Sequence, residues 1–587
     1  MPKRTFLNLL KGYEPSGKDG KGKRFVSKEI SGTASRDVAS RTGRKMAAVA
    51  QGFFNMIAYT STRSCGLFLG SFGLLTLLIH IAKDYLGFSN EVSLPIIITA
   101  SLFAILSIPF ITFDKPMAIA MQELRLTEVI FFEFFCMQRL QKKSVPITVH
   151  PVAALILGVL LATLGGFVPV FYVILGILSA VYLYLAVASP EFSFFFIFLA
   201  MPYLPMLEYA ELILAVLVLI TLLSFVRKIA EGKRIYHLEQ YDVLIWIMLT
   251  MVFISGILIG DSSAILSALI MLLLGFGGYA LTGSLVANRR LADCVVKANI
   301  FSSLPISVIA IIEFSLGLAR GEVRGSSATL GSPDMLGAFL LVSAFFMAYF
   351  VRVRRSVGVK VIYGIYLLLT VVAMATTLRV WLAATVIIAL LAVAVISAGR
   401  FASPLLAALA LLPYGFLFLP DSVLSAIMRS KAIALLGLDS YIGEWMQSRE
   451  LFLDNLFLGV GTGNFADTYY SANFLLQIAC EAGLLVLVAF VAIFAVRLIH
   501  RSVYRPYMKS SQVGLASNLA DVVLVSLLVY GLFTSLWVSP TIYYLFWCVF
   551  GFGSAVLRIS KKEFDDRVGY FSDGASSDSS SIDISLL

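Results

Sequence analysis

"YYSANFLLQIACEAGLLVLVAFVAIF", residues 469–494, begins polar and ends as an apolar run long enough to cross a bilayer. Within it Asn473, Gln477 and Glu481 recur every fourth residue, so on a helix an amide, a second amide and a carboxyl group stack on one face, a turn apart. An ionisable side chain near a bilayer centre costs on the order of 2.5–3.5 kcal/mol on insertion scales, so the stripe is expected to face other helices or a cavity rather than lipid. Interhelical polar glue and a functional site are both open readings of it. Position favours function, because the stripe starts where a long loop re-enters the membrane, near Arg449 and a glycine-rich turn in sequence.

The chain around this stretch has 587 residues, of which 59% are hydrophobic and 14% charged, with a mean hydropathy of +0.91. That composition excludes a soluble globular protein. Apolar runs recur from Gly66 to Leu557 and are too long for barrel strands, which predicts an all-α polytopic transmembrane bundle of about 14–16 spans with one large extracytoplasmic loop. Candidate crossings lie near 66–82, 94–113, 152–166, 168–188, 192–206, 208–226, 241–260, 262–285, 295–316, 335–351, 357–376, 380–398, 402–420, 473–496, 519–537 and 540–558. Residues 116–138 mix charge with aromatics and suit an amphipathic interfacial helix. The five cysteines sit in or beside apolar runs without metal-ligand spacing and read as small core hydrophobes.

A net charge of +10 raises the question of nucleic acid, but the basic residues cluster in the first 63 residues and between apolar runs. Membrane orientation accounts for them, and no nucleic acid is expected. The connectors QRLQKKS, RKIAEGKR, NRR, RVRR and RLIHRSVYRPYMK all fall on one side, which the positive-inside rule makes cytoplasmic, together with both termini. Five regions are expected: a basic arm (1–63), extra N-terminal spans with the amphipathic segment (64–150), the main membrane domain (151–560), its large outer loop (421–470) and a disordered cytoplasmic tail (561–587). The outer side keeps Arg320, Arg324, Arg379, Arg429, Lys431 and Arg449, on the face that normally sheds cations. An anionic ligand is expected there. GVGTGNF (459–465) lacks the βαβ context and the Lys-Ser/Thr of a nucleotide phosphate loop, and reads as a tight turn into the next span.

GSPDMLGAFL (331–340), TTLRVWLA (376–383), DNLFLGVGTGNF (454–465) and SANFLLQIACEAG (471–483), in that order, resemble the bacterial O-antigen ligase and polymerase family over residues 150–560. The resemblance implies a metal-independent, cofactor-free glycosyltransferase in the bacterial cytoplasmic membrane. Its donor would be a polyprenyl-diphosphate-linked oligosaccharide, and membrane lipid and other polysaccharide-assembly membrane proteins would be its partners. It places Arg379, with Arg324 second, on the donor diphosphate, and matches Asn473, Gln477, Glu481 and Gly483 to the re-entry helix. With Arg449, these make Arg324, Arg379, Arg449, Asn473 and Gln477 the substrate-binding candidates.

Departures from the pattern bear on mechanism. Ala472 stands where a histidine is usual, Asp334 where an asparagine is common and Leu456 where a proline is usual, and the arginine often found before Trp445 is missing. His150, His237 and His500 map to the cytoplasmic side and only His80 lies near an outer helix end, so histidine chemistry at the family position is excluded. Outer carboxylates supply the alternative base: Asp467, Glu481, Asp454 or Glu450, with Glu481 and Asp467 favoured. Single displacement would invert the anomeric carbon. The expected activity is polymerisation of lipid-linked oligosaccharide units, with a ligase acting on a lipid or protein acceptor second. A glycolipid transporter and a scaffold that has lost catalysis are the readings from other classes.

Overall fold

A computed structural model describes residues 60–85, 94–112, 151–167, 170–230, 234–237, 241–259, 262–353, 357–398, 439–462, 473–509 and 512–575. Most of the arm 1–63, the amphipathic stretch 116–138, the crossing expected near 402–420, and loop residues 421–438 and 463–472 lie outside the described residues. The described residues form sixteen α-helices and no strand. Eight helices are long and apolar enough to cross a bilayer, and shorter apolar helices accompany them. The chain is a multi-pass, all-α membrane protein. Its helices close the backbone hydrogen bonds that lipid could not satisfy.

The first three helices, α1 (Thr62–Tyr85), α2 (Leu94–Thr112) and α3 (Pro151–Phe167), pack through small residues. Gly66, Gly70 and Gly73 of α1 press on α2, while Gly158 of α3 presses on Phe68 and Ser71 of α1. Between helices bathed in lipid, such close backbone approach supplies the packing that hydrophobicity alone does not.

The main bundle continues with α4 (Val170–Ala188), α5 (Pro190–Ala200), α6 (Ala210–Ala230), α7 (Asp242–Ile259), α8 (Ser262–Leu285), α9 (Arg289–Ala319) and α10 (Pro333–Val353). It closes with α11 (Val357–Thr376), α12 (Val380–Ala398), α13 (Asp439–Asp454), α14 (Phe474–Lys509), α15 (Gln512–Tyr530) and α16 (Pro540–Ala575). The apolar window of α16 is 94% buried, making it the central post of the bundle. Around it Phe474, Phe490, Phe494, Trp537 and Phe546 stack edge to face and in tilted pairs. Large apolar side chains such as Leu78, Ile105, Leu223, Leu368 and Ile387 point outward, as a lipid-facing surface requires.

Two expected elements differ. The run 192–206 is not a span: α5 has 11 residues and ends before Pro202 and Pro205, which cannot continue a helix. The carbonyls thereby released are met by side chains, Met201 O by the Thr541 hydroxyl at 3.3 Å and Pro202 O by the Thr329 hydroxyl at 2.7 Å. Residues 561–575, expected to be disordered, are helical, because α16 meets no proline after Pro540 and runs on to Ala575.

One end of the bundle is tied by buried charge. Arg497 (α14) donates to Asp521 Oδ1 (α15) through Nε at 2.9 Å and Nη2 at 2.7 Å. Its Nη1 reaches Phe550 O at 3.0 Å and Ser554 Oγ at 3.2 Å on α16, and its guanidinium lies 4.4 Å from the Phe550 ring centre. Arg501 Nε sits 3.0 Å from Asp521 Oδ2, and Tyr241 at the start of α7 donates to Ser554. Asp242 accepts from Tyr279. This basic end also holds Arg227 on Val187 O and the Arg234–Glu191 pair.

Candidate functional site

The opposite end carries the loops that the sequence marked, and α14 enters the bundle there. Asn473 accepts from the N–H groups of Leu475 (2.9 Å) and Leu476 (3.3 Å), so it caps the helix. Gln477 Nε2 donates to Glu481 Oε1 at 3.1 Å, and Glu481 is only 5% exposed. The stripe therefore consists of a cap followed by a hydrogen-bonded pair buried inside the bundle.

Two residues later the helix breaks at Gly483, whose φ of 76° and ψ of −175° only glycine adopts readily. The break frees backbone groups, and the glycine turn fills the gap. Val460 N donates to Cys480 O at 2.8 Å, Gly461 N to Glu481 O at 3.0 Å, and Leu484 N to Leu456 O at 2.7 Å. Ser255 of α7 adds bonds to Glu481 O and Leu458 O, both at 2.8 Å. The turn 456–461 is thus a clasp across a broken helix.

The two arginines that the sequence singled out sit on loops that touch. Ser326 N donates to Thr376 O at 3.0 Å, and Gly325 lies so close to the Thr377 carbonyl that no Cβ would fit. Arg324 and Arg379 therefore flank one loop junction, and both are exposed. Glu313 of α9 holds the first loop, accepting from Ser326 Oγ at 2.6 Å and Ala328 N at 2.7 Å. In the second, Leu378 is left-handed with φ 56°, a conformation disfavoured for a leucine, and it turns the chain into α12 directly before Arg379. Arg379 Nη2 pairs with Asp334 Oδ2 at 2.9 Å, and Tyr530 Oη lies 3.4 Å from the other Asp334 oxygen.

An aromatic wall adjoins this junction. Trp381 stacks on Phe533 with centroids 4.0 Å apart and planes 7° apart, and Trp445 of α13 lies 6.1 Å from the same ring. α13 is seated on α14 through Phe452, Leu476, Ala479 and Cys480, with the Cys480 thiol donating to Ser448 O at 3.0 Å. Half-buried Arg449 is carried by this helix. No protein-family model matches the chain, and no curated protein does either. Its chemistry is therefore read from these residues.

Of the sequence candidates, Arg324 and Arg379 share one loop junction, Asn473, Gln477 and Glu481 share one helix, and Arg449 sits on the helix packed against it. Asp467 lies outside the described residues. The sequence reading missed Asp334 as the partner of Arg379 and Phe533 as the centre of the aromatic wall. For Asp334 a signal existed: an acidic residue in the first turn of a helix, where the helix dipole favours a negative charge. Among the described residues no group of three His, Cys, Asp or Glu side chains is disposed to hold a metal ion.

Proposed function

We propose that this protein polymerises lipid-linked oligosaccharide units into a cell-surface polysaccharide, by glycosyl transfer on the outer face of a bacterial cytoplasmic membrane. The supporting observation is the junction of the Arg324 and Arg379 loops beside the Trp381–Phe533–Trp445 wall. Departure of a polyprenyl diphosphate places charge on phosphate oxygens, which guanidinium groups stabilise through paired, charge-assisted donors. Flat aromatic faces suit the apolar faces of sugar rings, and the polyprenyl chain of the donor finds lipid alongside. The network of Arg497, Asp521 and Arg501 ties α14, α15 and α16 together at the far end, which favours reaction at one surface over passage through the bundle.

The test is reconstitution in liposomes with a polyprenyl-diphosphate oligosaccharide, comparing wild type with Arg379→Ala and resolving products by size. The wild type should give a ladder, and the variant should lose on the order of 10²–10³-fold in rate, as when one donor to a developing oxyanion is removed. A single transfer product would make the protein a ligase. Donor bound by the wild type with no glycosidic bond formed would overturn the reading.

A further inference from the structure

We infer that Asp334 is the general base of the transfer, and that in the resting protein it is the anion held by Arg379; the inference rests on the glycosyl-transfer reading above. Among the described carboxylates of this end, each of the others has a different setting. Glu481 is buried against Gln477, Glu313 is bound by the loop at Ser326 and Ala328, Glu444 is half-buried on α13, and Glu208, Glu211, Glu322, Glu450 and Asp454 lie exposed. Asp334 pairs with Arg379, a candidate diphosphate-binding arginine, and its side chain keeps 17% of its surface open.

The pair is built to exchange partners. Arg379 is 41% exposed along its side chain and uses Nη2 on Asp334 at 2.9 Å, which leaves other edges of the same guanidinium for a second anion. A diphosphate carries more charge than a carboxylate and competes for that cation. When it arrives, Asp334 loses part of its counter-charge. The charged and titratable groups that face Asp334 are then Arg379, at the turn into α12, and Tyr530, at the end of α15. Fully buried Tyr530 fixes the carboxylate's direction, because its hydroxyl is wedged between Asp334 and Gly337, where a Cβ would lie 2.9 Å away.

In the step, the acceptor hydroxyl oxygen bonds to the anomeric carbon as the bond from that carbon to the diphosphate oxygen breaks. The bonding pair leaves with the polyprenyl diphosphate, held by Arg379 and Arg324, and the hydroxyl proton passes to an Asp334 carboxylate oxygen. The acceptor oxygen approaches the face of the anomeric carbon opposite the departing diphosphate, so a single displacement inverts that carbon.

The experiment measures donor KM, kcat and the pH dependence of kcat for wild type, Asp334→Asn and Asp334→Glu in liposomes, with thermal unfolding in detergent as the folding control. For Asp334→Asn the donor KM should stay level or fall, because Arg379 is released, while kcat drops about 10²–10⁴-fold and loses its acidic limb. Asp334→Glu should recover part of the rate with an acidic limb, and it carries the test alone where the asparagine variant does not fold. A raised donor KM with the limb retained would reduce Asp334 to positioning and overturn the inference. So would a wild-type rate and pH profile in Asp334→Asn, whereas a wild type that binds donor and transfers nothing would overturn the glycosyl-transfer reading instead.

Discussion

Replacing Asp521 with asparagine is the most informative single change at the basic end. Asp521 is 4% exposed and faces two buried guanidiniums: Arg497 at 2.7 and 2.9 Å, and Arg501 at 3.0 Å. Asparagine keeps the shape and removes the charge, leaving both cations buried without it. Breaking a buried pair from one side costs about 3–5 kcal/mol, because the remaining charge stays uncompensated. Arg497→Met is the contrasting change. It removes the bonds to Asp521, Phe550 O and Ser554, but Asp521 keeps Arg501 and methionine refills the stem's volume. About 1–3 kcal/mol is expected for it, the cost of lost partners rather than of stranded charge. Unfolding in mixed micelles by titration with dodecyl sulfate, followed by far-UV circular dichroism, ranks the two. Asp521→Asn should be the larger loss, and a double variant should be less destabilised than the sum, because the sites share partners. If Arg497→Met proved as costly as Asp521→Asn to within about 0.5 kcal/mol, the charge-stranding argument would be refuted.

Gly483→Ala should cost on the order of 1–3 kcal/mol from backbone strain alone, and more from the collision of its Cβ with the Phe457 carbonyl. Hydrogen exchange would then rise at the amides of Val460, Gly461 and Leu484, and unchanged protection at those amides would refute the clasp. Burial, aided by the positive charges of Arg558 and Lys562, lowers the pKa of His237 in the connector before α7. The folded state thus favours neutral imidazole, and the stability it contributes above the ordinary histidine value is lost as pH falls from that value through the lowered one. His237→Gln should flatten the dependence of melting temperature on pH in that window, and an unaltered slope would remove His237 as its source.

Hydropathy made most of the bundle legible, because lipid demands long apolar helices and the chain supplies them in runs. The same signal misled at 192–206. There the run is apolar throughout, and only Pro202 and Pro205 mark its short helix, whose freed carbonyls find hydroxyls from Thr329 and Thr541 far away in sequence. The four-residue spacing of Asn473, Gln477 and Glu481 correctly put three polar groups on one helix, yet period carries no information on which caps and which pairs. That depends on where the turn 456–461 docks. The Asp334–Arg379 pair was less accessible still: each residue starts a different helix, and only the packing of the helices and the left-handed Leu378 bring them to 2.9 Å.

The two ends of the molecule treat arginine in opposite ways, and this bears on what each end does. Arg497 and Arg501 are sunk among α14, α15 and α16 and bonded on several edges, so any exchange of partner there would expose buried charge. Arg379 meets one carboxylate oxygen, keeps 41% of its side chain open, and sits on a strained turn beside a second exposed arginine. A guanidinium of the first kind fixes a structure, whereas one of the second kind is available to an incoming anion at little cost. A bundle with one end locked and the other offering exchangeable cations beside aromatic faces suits a ligand that arrives and leaves on the same side. A lipid-linked glycan elongated at the membrane surface does that, whereas a solute carried across would need the locked end to open.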